Sequence, residues 1–183
     1  MDVYDAITKR KTVYSFLDKE ISEDIILKLI DSAVRSPTAG GIREYEFILV
    51  TNAEIKQEIS KISLTPHIDS APIIVIVICD KSKMDAIFDE ADSETFCVEN
   101  AALAIENMLL MASNYGLGSA WIATLQQEEI KKLLAIPDKY KIRGVIPIGY
   151  INDVGEVKNN RPKADISRIV HIEKFNNPAD NSL

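Results

Sequence analysis

Two short basic segments carry the side chains best suited to holding an anion. Lys9-Arg10-Lys11-Thr12 lies near the start of the chain, and Arg161-Pro162-Lys163 lies near its end. A guanidinium, an ammonium and a hydroxyl together supply the charge-assisted hydrogen bonds that a phosphate monoester accepts. Either segment alone is also compatible with ordinary surface charge. The residue types therefore indicate a candidate phosphate site and leave open whether the two segments act together.

Other catalytic chemistries lack the residues that they need. The sequence has no GxxxxGK[ST] phosphate loop and no GxSxG motif. Neither His67 nor His171 lies in the HExxH motif of a catalytic zinc site. Gly116-Leu117-Gly118 follows a predicted helix and enters a strand, whereas a dinucleotide-binding turn runs from strand to helix.

The two cysteines lie in apolar stretches. Cys79 and Cys97 have neither CxxC nor Cys/His spacing. This pattern predicts reduced core thiols and no metal, with a zinc site or a disulfide as the less favoured alternatives. Reduced thiols favour a cytoplasmic location.

Size and charge favour one globular domain. The chain has 183 residues, of which 46% are hydrophobic and 27% charged, which fits a typical domain of about 150 residues. We expect a single domain over residues 1–183, with 151–183 as an extended C-terminal tail. The net charge of −7 disfavours nucleic acid as a partner. The longest apolar run, residues 71–79, is shorter than the ~20 residues that span a bilayer, so we expect no membrane partner.

Hydrophobic patterns predict helices alternating with strands. The unbroken β-branched run at residues 73–79 is typical of a strand buried on both faces, at the centre of a sheet. Pro147 predicts an edge position or a bulge for the strand that contains it. The order of elements favours a mixed sheet covered by helices. The predicted helices are 3–9, 23–36, 53–62, 94–115 and 125–134, the last of them capped by Thr124 with Gln127, and the predicted strands are 45–51, 73–79, 119–123 and 142–150.

The helix predicted at residues 94–115, after an acidic loop around 89–93, has one narrow polar stripe. Its polar residues come in pairs seven positions apart, at Glu99-Asn100, Glu106-Asn107 and Ser113-Asn114. A helix with so narrow a polar face is largely buried. Glu99 and Glu106 could form a carboxylate pair for metal or acid–base chemistry, but no histidine accompanies them. A stripe facing solvent or another helix is the favoured interpretation.

Several motifs, in this order and spacing, resemble the nitroreductase family of FMN-dependent NAD(P)H oxidoreductases from about Val3 to His171. The strongest similarity runs from Glu99-Asn100-Ala101-Ala102 through residues 107–112 to GLGSAWI at 116–122. Leu134-Ala135-Ile136-Pro137 and Ile148-Gly149-Tyr150 are similar to the family's LGIP and IGY segments. The resemblance implies an α+β fold with a mixed, mainly antiparallel sheet flanked by helices around a long central helix. It also implies a homodimer with an exchanged C-terminal tail.

The resemblance assigns residues to an FMN site. Residues 10–16 correspond to the family's RRSVRxF motif, and Arg10 and Thr12, with Lys11 between them, would hold the FMN phosphate. Arg161 and Lys163 would complete this site from the tail. The loop at residues 36–45 is similar to APSSxNxQPW, whose start contacts the flavin ring of the other subunit. The implied ring contacts are Pro37, Thr38, Ala39 and Gly41, and the Ala123-Thr124 backbone would offer an N–H to flavin N5.

Some positions depart from the family pattern. Tyr14 replaces a basic residue that lies near the flavin pyrimidine, where positive charge stabilises reduced flavin. His67 could supply that charge, or it could be an ordinary loop histidine. Gly41, Arg43 and Glu44 replace the usual Asn, Gln and Pro.

The resemblance implies an enzyme that passes two electrons from NADH or NADPH to a nitroaromatic, quinone or similar acceptor. Donor and acceptor would use the same space in turn, which predicts ping-pong kinetics. The alternative is a non-catalytic flavin-binding or dimeric interaction protein, in which the departures have removed reductase chemistry.

Overall fold

A computed structural model describes residues 1–123, 126–152 and 169–177. The described residues form an α+β fold with six α-helices and four strands. The helices are α1 (Val3–Lys9), α2 (Glu23–Val34), α3 (Ala53–Ile62), α4 (Ser82–Asp85), α5 (Glu90–Asn114) and α6 (Gln127–Leu134). The strands are β1 (Tyr45–Val50), β2 (Ile73–Asp80), β3 (Leu117–Ser119) and β4 (Tyr140–Tyr150).

The four strands form one sheet in the order β1-β2-β4-β3, and all three pairings are antiparallel. A parallel bridge between Thr12 and Ser119 adds the segment after α1 to the β3 edge. All eight residues of β2 are buried, which confirms the central buried strand predicted from the β-branched run.

The edge position predicted from Pro147 is wrong, because β4 is an inner strand between β2 and β3. The Pro147 carbonyl accepts the Ala120 N–H at 3.3 Å, so the side of Pro147 that lacks an N–H faces Ala120, just beyond the end of β3. A short neighbouring strand therefore lets an inner strand accommodate proline. The alternative, a bulge in the strand that contains Pro147, is present: Val77 pairs with Gly144 and Ile78 with Ile142, which leaves Arg143 of β4 as the extra residue, four positions before Pro147.

The sheet separates two hydrophobic layers. On one face, alternate residues of β2 such as Val75 and Val77 pack with α2 and α5. On the other face, Ile74 and Ile76 pack in a cluster that includes Ile59 of α3 and Ile130 of α6. The alternation follows from the two-residue period of a strand.

Helix α5 begins at Glu90, four residues before the predicted start. The predicted acidic loop is instead the first turn, because the Asp89 side chain caps the helix by accepting the Asp92 N–H at 2.9 Å. Acidic residues also suit the positive end of the helix dipole. By length and composition α5 could cross a membrane, but it is the core helix here, with Ala101, Ile105 and Met108 fully buried against the sheet layer.

The polar stripe of α5 connects neighbouring elements. Asn107 Nδ2 donates to the Ser32 carbonyl of α2 at 3.1 Å, and Ser113 Oγ donates to the Ala6 carbonyl of α1 at 3.1 Å. Asn100 is 2% exposed and bonds to the loop before β1. The stripe therefore makes contacts to other helices and to a loop, which agrees with the predicted stripe that faces solvent or another helix.

Candidate functional site

The basic segment after α1 lies along the edge of the sheet. Val13 N donates to the Ser119 carbonyl at 3.0 Å, next to the Thr12–Ser119 bridge. The same stretch continues from Ser119 to Ala123. These backbone bonds place the predicted phosphate-binding residues beside Ser119, four residues before Ala123, where the segment predicted to face flavin N5 begins.

The donors of this segment are available to an anion. Arg10 Nε lies 3.7 Å from Glu106 Oε1, a distance that is too long for a hydrogen bond. The arginine side chain is 12% exposed. Among the described residues, no hydrogen bond or ion pair engages the Lys11 ammonium or the Thr12 hydroxyl. A guanidinium, an ammonium and a hydroxyl with this availability fit the chemistry of a phosphate monoester.

The backbone before Ala123 is fixed by β4. Ile122 N donates to the Val145 carbonyl at 3.1 Å, and Val145 N donates back at 3.0 Å. Trp121 Nε1 donates to the Arg143 carbonyl at 3.1 Å. The position of Ala123, which is exposed, follows from these contacts. Thr124 lies outside the described residues, as do Arg161 and Lys163 of the tail.

The His67 turn joins the same edge of the molecule. His67 has φ +71°, and its carbonyl accepts the Ser70 hydroxyl, which in turn accepts the Phe16 N–H at 3.0 Å. Tyr14, two residues before Phe16, is 42% exposed. The structure therefore brings the His67 turn and the Tyr14 segment together through Ser70.

The loop with the predicted ring contacts is held by a different part of α5. Ala39 N donates to Asn100 Oδ1 at 2.9 Å, whereas Arg10 faces Glu106, six residues further along, a rise of ~9 Å. Pro37, Thr38 and Gly41 belong to this loop. Gly41 has φ +71°, a conformation that favours glycine, and this accounts for the glycine where the family pattern has asparagine.

The two charged departures in this loop have opposite environments. Arg43 is exposed, and its Nε donates to the Val34 carbonyl at 3.1 Å. Glu44 is 0% exposed and accepts Asn100 Nδ2 at 3.2 Å. Burial raises the pKa of the Glu44 carboxyl, while backbone and Asn100 hydrogen bonds oppose that rise.

Asn100 is the positioning residue that the sequence did not single out. The sequence places Asn100 in the polar stripe of α5 and in the Glu99–Ala102 motif, and neither pattern assigns it a role. One amide side chain bonds both Ala39 and Glu44, so it fixes the loop to the central helix. The available signal was its place in the stripe, which marks it as polar and buried.

These features define a class of protein: an α+β fold with a long core helix, in which a basic segment predicted to bind a phosphate is hydrogen-bonded to the β3 edge of the sheet. The chain belongs to the nitroreductase family, whose model, described as "Nitroreductase family", matches residues 7–66 and 64–150. It is therefore a member of an oxidoreductase family.

Individual relatives agree with this assignment. A protein of Methanothermobacter thermautotrophicus named "Putative NADH dehydrogenase/NAD(P)H nitroreductase" is 33% identical over 182 residues, which cover 96% of this chain and 88% of the relative. An "FMN-dependent Nitroreductase" of Clostridium difficile R20291 has a TM-score of 0.79 at 26% identity and covers 94% of this chain and 99% of its own. NfrA2 of B. megaterium, at 19% identity and a TM-score of 0.84 over 96% and 76% of the two chains, shares the fold.

Proposed function

We propose that this protein is an FMN-dependent oxidoreductase that passes two electrons from NADH or NADPH to a nitroaromatic, quinone or similar acceptor. The observation that carries the proposal is the Val13–Ser119 hydrogen bond with its adjacent Thr12 bridge, since it joins the two segments that an FMN molecule would have to contact at once. FMN, when bound, supplies the hydride chemistry. The chain's own residues bind the cofactor and orient it.

The phosphate end of the site would be held by cations and a hydroxyl. Arg10, Lys11 and Thr12 present available donors on one short segment. We include Arg161 and Lys163 in the proposal as donors from the tail. Charge-assisted hydrogen bonds of this kind contribute about 1.5–3 kcal/mol each.

The ring end would be oriented by backbone and by polar side chains. Ala123 and Thr124 would offer a backbone N–H to flavin N5, supported by the fixed position of Ile122. Tyr14 and His67 would lie toward the pyrimidine, where a protonated His67 would stabilise negative charge on the reduced cofactor.

A homodimer would complete the site. Pro37, Thr38, Ala39 and Gly41 belong to the loop that Asn100 holds, and Asn100 lies six residues before Glu106, the α5 residue that Arg10 faces. This arrangement supports a site in which one subunit holds the phosphate and the loop of the other contacts the ring. Leu103 on α5, an apolar side chain that is 44% exposed, would contact the second copy.

Anaerobic titration of the purified protein tests the proposal. We expect a yellow protein that NADH or NADPH bleaches, and whose colour returns when a nitroaromatic or quinone is added. A yellow protein that neither nucleotide bleaches would identify the alternative function, a non-catalytic flavin-binding protein. A colourless protein that does not bind added FMN would contradict both functions.

Steady-state kinetics test the shared site. If donor and acceptor use the same space in turn, initial rates against NAD(P)H at several acceptor concentrations give parallel double-reciprocal lines. Intersecting lines would show that both substrates bind together and would contradict the ping-pong proposal.

A further inference from the structure

A second polar cluster lies inside the core, among residues to which the flavin site assigns no role. Glu44 precedes β1, Cys79 lies in β2 and Cys97 lies in α5, and all three are 0% exposed. A carboxylate oxygen of Glu44 and the two Sγ atoms all lie within 4.8 Å of one another. Both cysteines are free thiols, so three potential metal ligands converge from three separate elements.

One oxygen of this cluster lacks a partner. Glu44 Oε2 accepts the Asn100 amide at 3.2 Å, but Oε1 is buried and has no hydrogen-bond partner among the described residues. The apolar side chains packed around the cysteines include Met84, Phe88 and Phe96. A buried unpaired acceptor costs free energy, and a bound cation would remove this cost.

We propose that Glu44, Cys79 and Cys97 bind a divalent transition metal ion of the zinc class. Two thiolates and a carboxylate are characteristic ligands of such an ion. The Asn100 hydrogen bond would orient the ligating carboxylate, as outer partners of metal ligands commonly do. Three protein ligands leave one tetrahedral position for a water molecule.

The spacing is close to that of a tetrahedral metal site. Ligand atoms around tetrahedral zinc lie about 3.5–3.8 Å apart, given Zn–S of about 2.3 Å and Zn–O of about 2.0 Å. Atoms already within 4.8 Å need approach one another by about 1.0–1.3 Å at most. A disulfide would leave Glu44 without a ligand partner, and both cysteines are free thiols in this structure.

The surrounding charges match a bound divalent ion. Two thiolates, one carboxylate and a divalent ion leave one negative charge. Arg143 Nη2 and Lys141 Nζ both lie 3.0 Å from Glu94, so two cations share one carboxylate and leave one positive charge. The buried Arg143 Nε has no hydrogen-bond partner among the described residues. Burial lowers the pKa of Arg143, but the charges of Glu94 and then Cys79 raise it, and the net shift is upward.

The proposed ligands come from separate elements of the fold. Glu44 precedes β1, Cys79 lies in β2 and Cys97 lies in α5. The ion would then tie the loop before β1 to both β2 and α5.

Cobalt substitution tests the metal site. Because the ligands are closed to solvent, cells are grown with Co²⁺ in place of zinc, so that the ion is present while the chain folds. We expect one cobalt per purified chain and a thiolate-to-cobalt charge-transfer band in the near ultraviolet. The chain has two cysteines in total, so that band reports on Cys79 and Cys97.

Variants locate the ion. We expect Cys97→Ser and the nearly isosteric Glu44→Gln to weaken cobalt binding about a hundredfold or more, the size that loss of even an outer partner can reach. Glu99→Gln, an exposed carboxylate on the same helix, should leave the band and the stoichiometry unchanged. Circular dichroism shows which variants fold, and Glu44→Gln keeps the test decisive if Cys97→Ser does not.

Three results would overturn the proposal: no cobalt band, cobalt that both variants retain, or thiols that react in denaturant only after reduction, which would reveal a disulfide. None of these depends on flavin. Failure here is therefore distinguishable from failure of the proposed reductase function.

Discussion

Single side chains near the start of the chain are positioned by the fold and not by strong pairing. Arg10 ends α1, where its N–H donates to the Ala6 carbonyl at 3.0 Å. Its side chain is 12% exposed and lies 3.7 Å from Glu106. A long ion pair of this kind orients the guanidinium while leaving its donors available to a stronger anion.

Arg10→Ala should loosen FMN about tenfold or more. The loss follows from one charge-assisted contact of about 1.5 kcal/mol or more, with 1.4 kcal/mol for each factor of ten. Quenching of FMN fluorescence during titration measures the dissociation constant. Lys9→Ala is the matched control, since Lys9 is 58% exposed and pairs with Asp5 on α1. Equal weakening in both variants would show that general charge, and not Arg10, binds the phosphate.

A second residue-scale prediction concerns Asn100. Asn100→Ala removes the partners of the Ala39 N–H and of Glu44 Oε2, so we expect unfolding to require about 2 kcal/mol less, since buried groups left unpaired cost about 1–3 kcal/mol. Urea titration of the flavin-free protein, with the protein concentration held constant, measures this change in the free energy of unfolding. Asn114→Ala, which removes a weak 4.0 Å contact to Met111 Sδ, should stay within about 0.5 kcal/mol. Equal midpoints for the two variants would refute the role of Asn100.

At the scale of elements, local sequence patterns predict a helix or strand correctly where the burial of its faces produces a regular spacing of polar and apolar residues. The seven-residue polar pairs predicted α5, and the β-branched run predicted β2 at the sheet centre. Of the two alternatives that Pro147 predicted, the bulge is present in β4 and the edge position is wrong, because the tolerance of an inner strand for proline depends on the short neighbouring β3, which no local pattern reveals. The buried state of Glu44 likewise depends on Asn100, which is 56 residues away. The sequence assigns segments to a proposed flavin site, but it does not reveal which side chains the tertiary contacts bury.

The element-scale prediction concerns the packing of β3 against the phosphate segment. A Cβ added to Gly118 would lie 2.8 Å from Val13 Cγ2 and 2.9 Å from Ile151 Cγ1. We expect Gly118→Ala to cost about 1–3 kcal/mol of stability, as overpacking does, and also to loosen FMN by displacing the segment that contains Arg10.

Gly116→Ala separates strain from displacement. A Cβ at Gly116 would meet nothing within 4 Å, although the backbone has φ +71°, so this variant should lose about 1–2 kcal/mol of stability from strain with unchanged FMN affinity. Thermal melting and flavin titration of the two variants provide the comparison. If Gly118→Ala binds FMN as tightly as Gly116→Ala, the packing of β3 does not position the phosphate segment.

At the scale of the whole molecule, the sheet divides the surface into two sides with different expected roles. The α5 side presents the exposed Leu103, three residues after Asn100, which holds the loop that contains Ala39. The opposite side is covered by α3, followed by an exposed Leu64. If the proposed homodimer forms through α5, a charge placed on that helix disrupts assembly and cofactor binding together, whereas a charge beside α3 affects neither.

Leu103→Glu should therefore give a monomer that loses FMN. Leu103 is 44% exposed in the single chain, and burying a carboxylate there in an interface would cost several kcal/mol without a partner. Light scattering coupled to size-exclusion chromatography measures the mass, and absorbance measures the bound flavin. Leu64→Glu, at a position that is 78% exposed, is the control and should remain a yellow dimer. A Leu103→Glu protein that stays dimeric and yellow would place the subunit interface on another surface, because no stable interface buries an unpaired charge at its centre without loss of affinity.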